Sequence, residues 1–209
     1  MKAVKSTPAE SPITSPALLD KREQILQGAM QVFLSQGYAG TSMDRVAAIA
    51  GVSKQTIYSH FQDKEGLFTA LIERVTIQRL QRDLGTEGLQ GEPRVTLRRL
   101  ANAYLQKMAD EEYLALLRVV MAESTRFPEL AQLYTKTVIH KGLSLISTYL
   151  KAHPELNLSD PEATARIFIG SLVSFLVTQE ILHGKTILPM ERDRLVDSLV
   201  ELVLCPSGR

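Results

Sequence analysis

The stretch Lys54-Gln-Thr-Ile-Tyr-Ser-His60 carries the side chains with the most chemical reach in this chain. On a helix, Lys54, Gln55, Tyr58 and Ser59 share one face while Ile57 points the other way. Lysine donates to guanine acceptors or phosphate, and glutamine pairs with adenine. Tyr58, Thr56 and His60 donate to phosphates, which fixes register without reading bases. Such a helix fits the major groove of DNA with its N-terminal residues at base edges. A metal-binding role for His60 lacks partners, because His140, His153 and His183 lie far along the chain and no Cys or acid stands at ligand spacing. Catalysis lacks a footing too. There are no paired carboxylates at metal-site spacing, no glycine-rich phosphate loop and no Ser/His/Asp signature, so no enzyme activity, cofactor or metal is expected.

Lys54 and its neighbours need a scaffold, and the flanking sequence supplies one. Residues 43–58 read as two short helices around Gly51, a position where a side chain would obstruct the turn. Ala47 is small where the helices cross, and Val46, Ala50, Val52 and Ile57 are the buried knobs. A first helix spans 18–36 on Ile25, Leu26, Ala29, Val32 and Phe33, and Gly37 ends it. Thr41 and Asp44 read as the capping pair of the second helix, and Ser53 caps the third. Asp63 caps a fourth, which carries Leu67, Phe68, Leu71, Ile72 and Val75.

Beyond a break at Gly85, Gly88, Gly91 and Pro93, helices are expected over 94–109, 113–126, 129–152, 161–183 and 189–204. Strand alternation and hairpin turns are missing. The fold class is all-α. A disordered tail (1–17) is expected to precede an N-terminal three-helix helix-turn-helix domain (18–76) and a C-terminal helical domain (77–209).

The chain has 209 residues, with 24 basic against 23 acidic side chains, a net charge of +1. That balance excludes binding to nucleic acid or membranes through bulk charge. Residues 18–76 hold six basic and six acidic side chains, but none of the acids lies between Asp44 and Asp63. Recognition therefore falls to a short acid-free surface. The single cysteine, Cys205, permits no internal disulfide. The N-terminal residues have no apolar core of a signal peptide. The most apolar stretch, 167–182, is interrupted by polar residues and is shorter than the roughly 20 a membrane span needs. A cytoplasmic protein without a membrane partner is expected.

The segments Thr41-Ser-Met, Ala50-Gly-Val-Ser-Lys-Gln-Thr-Ile-Tyr-Ser-His-Phe61 and Asp63-Lys-Glu-Gly-Leu67 resemble the TetR/AcrR family of bacterial transcriptional repressors. Tyr-x-His-Phe and Asp-Lys-Glu-x-Leu stand at that family's spacing, which a generic helix-turn-helix lacks. The resemblance covers about residues 20–75. It implies a homodimer on a palindromic DNA operator and a small-molecule effector that releases it. By this resemblance Lys54, Gln55 and Thr56, with the cap Ser53, face bases or adjacent backbone. Tyr58, His60, Lys64 and Ser42 match phosphate contacts. Asp44 stands where some relatives carry a basic contact residue, which leaves Arg45 to take over. Ser59 stands where an aromatic residue is frequent.

Residues 118–130 more loosely resemble the AefR-like subgroup. Tyr104, Met108, Met121, Tyr134, Phe168 and Phe175 are candidates for lining a ligand cavity, or are ordinary core. Arg118, Glu123 and Gln179 are polar on otherwise apolar helices; they either orient a ligand, with Arg118 and Gln179 the candidates, or make core hydrogen bonds or face solvent. Gly170, Ser174 and Thr178 form a small-residue ridge that serves either internal packing or a dimer seam. The resemblance implies the seam, built from helices 161–183 and 189–204. A competing reading is an architectural DNA-binding protein that recruits a protein partner and has no effector.

Overall fold

The computed structural model describes residues 21–84 and 89–205, the side chains of 81–84 excepted. The tail 1–17, the start of the first helix at Leu18, and Gly85 and Gly88 lie outside the described residues. Every regular element among the described residues is helical. In chain order these are α1 (Lys21–Gly40), α2 (Met43–Ala50), α3 (Lys54–Phe61), α4 (Lys64–Val75), α5 (Ile77–Leu84), α6 (Pro93–Met108), α7 (Glu111–Glu123), α8 (Pro128–Tyr134), α9 (Lys141–Lys151), α10 (Pro161–Leu176) and α11 (Arg192–Leu204).

The helix boundaries follow from local chemistry. Gly37 breaks the helical path of α1 at φ 68°, ψ 179°. Gly51 closes α2 in the left-handed region at φ 62°, ψ 36°, where glycine has no Cβ to clash. Asp63 accepts from the Gly66 N–H at 2.7 Å to open α4.

Several expectations need correction. Ser42, not Thr41, caps α2, accepting from the Arg45 N–H at 3.2 Å. Thr41 instead donates to the Gly37 carbonyl at 2.7 Å, because the broken end of α1 leaves that acceptor open. Pro93 is the first residue of α6 rather than part of the break, since its missing N–H costs nothing there. The helix expected over 129–152 passes through a π-helical turn, Thr135–His140. α10 likewise runs into a π turn, Val177–Ile181. The last helix begins at Arg192, three residues later than expected. Because α10 starts at a proline N-terminal to its apolar stretch, Pro161–Ile181 spans 21 residues and is long and apolar enough to cross a membrane by length and composition. It packs against α6, α9 and α11.

The hydrophobic cores do not follow the division at residue 76. One core joins α1–α4 to α7 and α8 through Phe33, Phe68, Leu71, Leu117 and Tyr134. The other joins α6, α9, α10 and α11 through Leu97, Leu105, Phe168, Leu172 and Val200. The head thus shares its packing with α7 and α8, and with Met108 of α6 and Leu176 of α10, all assigned by sequence to the other domain. The backbone turns between α4 and α5 at the buried Thr76 (φ −117°, ψ −86°), whose hydroxyl donates back to the Ile72 carbonyl at 2.6 Å.

Candidate nucleic-acid interface and effector cavity

α2 and α3 present a polar surface. Ile57 and Phe61 are buried beneath α3, so Lys54, Gln55, Tyr58, Ser59 and His60 stand outward and exposed. Tyr58 keeps 42 % of its surface, which separates it from the core aromatics. Ser53 accepts from the Thr56 N–H at 3.0 Å, and the two hydroxyls lie 2.7 Å apart, fixing the first turn of α3. Ser42 and Arg45 are exposed at the start of α2. Gln24 of α1 donates to the Ala50 carbonyl at 2.7 Å and pins the end of α2 to the bundle.

Two basic groups are engaged. The Lys54 ammonium donates to Asp44 at 2.9 Å, and that hydrogen bond, with the carboxylate charge, raises its pKa above the ordinary lysine value. Both partners are exposed, so the pair is weak and readily displaced. Lys64 is turned inward. It donates to the carbonyls of Tyr38 at 2.9 Å and Thr41 at 3.3 Å and sits 4.5 Å above the Tyr38 ring. Its first task is to close the loop before α2, which the motif spacing did not reveal.

A cavity of about 530 Å³ lies between α5, α6, α7, α8, α9 and α10. Of the sequence candidates, Tyr104, Met108, Met121 and Tyr134 line it. Phe168 and Phe175 do not; they belong to the second core. The cavity stripe on α10 is Arg166, Ile169, Gly170, Val173, Leu176 and Val177, a helical period that leaves Phe168 and Phe175 on another face. Gln179 is buried but donates to the Leu188 carbonyl at 2.9 Å, holding the chain after α10. Arg118 is exposed, with its guanidinium 3.4 Å from the Glu180 carbonyl.

Sequence reasoning missed Tyr113, Leu117, Gly142 and the wall from Thr76 to Leu80. Gly142, a glycine within an apolar helix pattern, was a signal available in the sequence. A Cβ built on Gly142 or on Gly170 meets nothing within 4 Å.

Three phenols stand together on the wall of this largely apolar space. The Tyr113 and Tyr134 hydroxyls lie 2.7 Å apart, and Tyr104 interacts with Tyr113. Burial pushes all three pKa values above the ordinary phenol value, so the hydroxyls stay neutral. The sign gives a prediction. As pH rises through about 10, the unfolded chain releases phenolic protons that the folded chain keeps, so stability falls. Urea melts across that range should show this decline, with a shallower slope for Tyr113→Phe than for the wild type.

Charged residues tie the cavity wall to the head. Arg74 of α4 pairs with Glu23 of α1 at 2.8 Å, and its Nη1 lies 3.6 Å from Glu112 of α7. Arg79 of α5 pairs with Glu112 and, at 2.5 Å, with Asp110. Desolvation raises the Asp110 pKa, but the Arg79 hydrogen bond and charge outweigh it and hold the carboxyl below its ordinary value. Arg74 and Arg79 flank Thr76, which lines the cavity.

The outer face of α10 and α11 is apolar and open. Ile167 is 65 % exposed and Leu202 70 %, with Leu182, Ile187 and Leu188 also bare. Gly170 and Ser174 of the small-residue ridge are exposed on α10, and Gly170 also stands at the edge of the cavity.

Two family models match the chain. Residues 25–71 match the bacterial regulatory proteins of the tetR family, and residues 95–206 match the AefR-like transcriptional repressor C-terminal domain. The uncharacterized HTH-type transcriptional regulator YhgD of Bacillus subtilis (strain 168) is 26 % identical over 191 residues, covering 88 % of this chain and 94 % of that protein. Other curated relatives align over a quarter to a half of their length. Among solved structures, a transcriptional regulator from Mesorhizobium loti MAFF303099 superposes with a TM-score of 0.69 at 27 % identity, covering 90 % of this chain and 97 % of that one. The flavonoid-responsive regulator FrrA gives 0.66 at 29 % identity, covering 88 % and 93 %.

Proposed function

Because the chain belongs to the TetR family of transcriptional regulators, which bind DNA and small molecules as dimers and are not enzymes, we propose that it is a repressor released from a palindromic operator by a small-molecule effector. The observation that carries this reading is the pairing of an exposed recognition face on α3 with a cavity of about 530 Å³ next to the Thr76 turn. Ligand pockets typically have a volume of this order.

In this reading Lys54 and Gln55, with Arg45 from α2, meet base edges, while Tyr58, His60 and Ser42 bind phosphates. Lys64 contributes chiefly by shaping the loop before α2. The dimer forms through α10 with its π turn and α11, supported by the bare apolar face there. Protein and DNA meet in the cytoplasm. Ligand between α5 and α9 displaces the turn at Thr76, and Arg74 with Glu23 carries the displacement to α1, to which Gln24 fastens α2. Release requires that ligand favour one spacing of the two recognition helices over the other. An architectural protein without an effector has no use for the cavity, which is why the sensor reading is preferred.

Gel shifts on the regions flanking the protein's own gene test the DNA half. Sequence-preferring binding at moderate salt is expected, and its absence across those regions would sink the proposal. Lys54→Ala is expected to lose about 1–3 kcal/mol on the operator and to relax preference, whereas Tyr58→Phe should weaken operator and scrambled DNA alike. Equal losses for Lys54→Ala on both DNAs would remove its base-reading role.

A further inference from the structure

We propose that the effector is an elongated, apolar monoanion with an oxygen acceptor at its far end: its carboxylate meets Arg166 and its other end meets the tyrosine hydroxyls. This inference rests on the cavity being the effector site. It adds what chemistry the site selects.

The cavity is long. Its α10 wall runs from Arg166 to Val177, about 16 Å at the rise of a helix. The two ends differ chemically. Leu176 shares one core with Leu117, Tyr113 and Tyr134, and Tyr104 packs against it, so three tyrosines from three different helices gather at the Val177 end of the α10 wall. Three hydroxyls hold three protons. The trio is a chain rather than a ring, with Tyr113 between the other two, so at least one proton is left over. Among the described residues no other acceptor takes it. Because burial keeps the phenols neutral, that group is a donor facing apolar space, and a ligand oxygen satisfies it.

At the opposite end is Arg166, exposed and on the cavity wall. Among the described residues no carboxylate lies within ion-pair distance of its guanidinium. The other cation on the wall, Lys141, is already held by Glu73 at 2.7 Å. Arg166 is therefore the cation available to a ligand, and a guanidinium matches a carboxylate in bidentate fashion. Between the two ends the wall is aliphatic, from Leu100 and Ile169 to Leu145 and Val173. No acidic side chain lines it, so an amine would enter without a counter-charge.

Four probes of one length separate the terms: laurate, its ω-hydroxy derivative, dodecanol and dodecylamine, each below its critical micelle concentration. Calorimetric titration of the full-length protein is expected to rank ω-hydroxylaurate above laurate, and equal affinity for the two would overturn the tyrosine end of the assignment. Laurate should bind about 10-fold tighter than dodecanol, and dodecylamine should bind weakest. Arg166→Gln should abolish the advantage of laurate while leaving dodecanol unchanged. Tyr134→Phe should abolish only the advantage of the ω-hydroxyl. Equal affinity for laurate, dodecanol and dodecylamine in the wild type, or a carboxylate preference that survives Arg166→Gln, would overturn the anion assignment and leave the cavity reading intact. No binding of any probe, with a hydrophobic dye also failing to enter, would overturn both.

Discussion

Gly66→Ala is expected to unseat the recognition helix. A Cβ at this position would stand 2.2 Å from the carbonyl oxygen of Phe61 and 3.3 Å from its carbonyl carbon. These are backbone atoms at the end of α3, so no side-chain rotation relieves the clash. The corner is already tight. Gln62 sits at φ 63°, ψ −54°, an uncommon conformation for a residue with a side chain, and its N–H donates to the Tyr58 carbonyl at 3.0 Å. The expected cost is about 3 kcal/mol, at the upper end for overpacking, read as a lowered urea midpoint. Whatever folds should bind operator at least about 10-fold more weakly, since α3 is aimed by this corner. The control is Gly142→Ala, where the new methyl meets open space; it should be neutral or stabilise by up to about 1 kcal/mol through helix propensity. Equal behaviour of the two variants would show that the α3–α4 corner yields freely.

The second large effect is expected from Gly142→Phe. Gly142 lines the cavity, and its Cβ direction is unobstructed for 4 Å. A phenyl ring starting from that open position is expected to occupy ligand space. Gly170 offers the same opening but lies on the exposed face assigned to the dimer, so Gly142 is the cleaner site. The variant should fold, dimerise and bind operator as the wild type does. It should fail to release DNA at ligand concentrations that free the wild type, with apparent ligand affinity reduced at least about 10-fold. The measurement is a gel-shift titration with a ligand found by thermal-shift screening, since any molecule that binds only the folded state must raise its stability. Release of Gly142→Phe at the wild-type concentration would mean that the effector acts elsewhere.

Much of the head is legible in the amino-acid sequence. Its signals are local: Gly51 in a turn, Ser53 and Asp63 as caps, Ile57 opposite Lys54 and Gln55. Each depends on residues within one or two helical turns. The departures there are also local. Thr41 loses the α2 cap to Ser42 because the break at Gly37 exposes a carbonyl for Thr41 to satisfy. The orientation of Lys64 depends on Tyr38 and Thr41, more than twenty residues away, and spacing within a motif carries no information about that.

The cavity is half legible. Tyr104, Met108, Met121 and Tyr134 lie on its wall, while Phe168 and Phe175 look equivalent in the sequence but pack into the second core. An apolar helix shows which residues leave water; it does not show whether they meet another side chain or a void. The π turns at Thr135–His140 and Val177–Ile181 shift the helical phase beside the cavity, and no residue type marks them.

By itself, the sequence determined an all-helical chain and the turn that sets α2 against α3 within a nearly neutral whole; the acid-free stretch it marked on α3 is met in the fold by Asp44, which pairs with Lys54. These follow from backbone conformation, capping and charge, all decided by near neighbours. Only the tertiary structure decided that one core runs through both sequence-defined domains, that three tyrosines from three helices meet in one cavity, and that Arg74 and Arg79 bridge it to α1 and α7. Those depend on distances between residues remote in the chain, which helix packing sets and local chemistry does not.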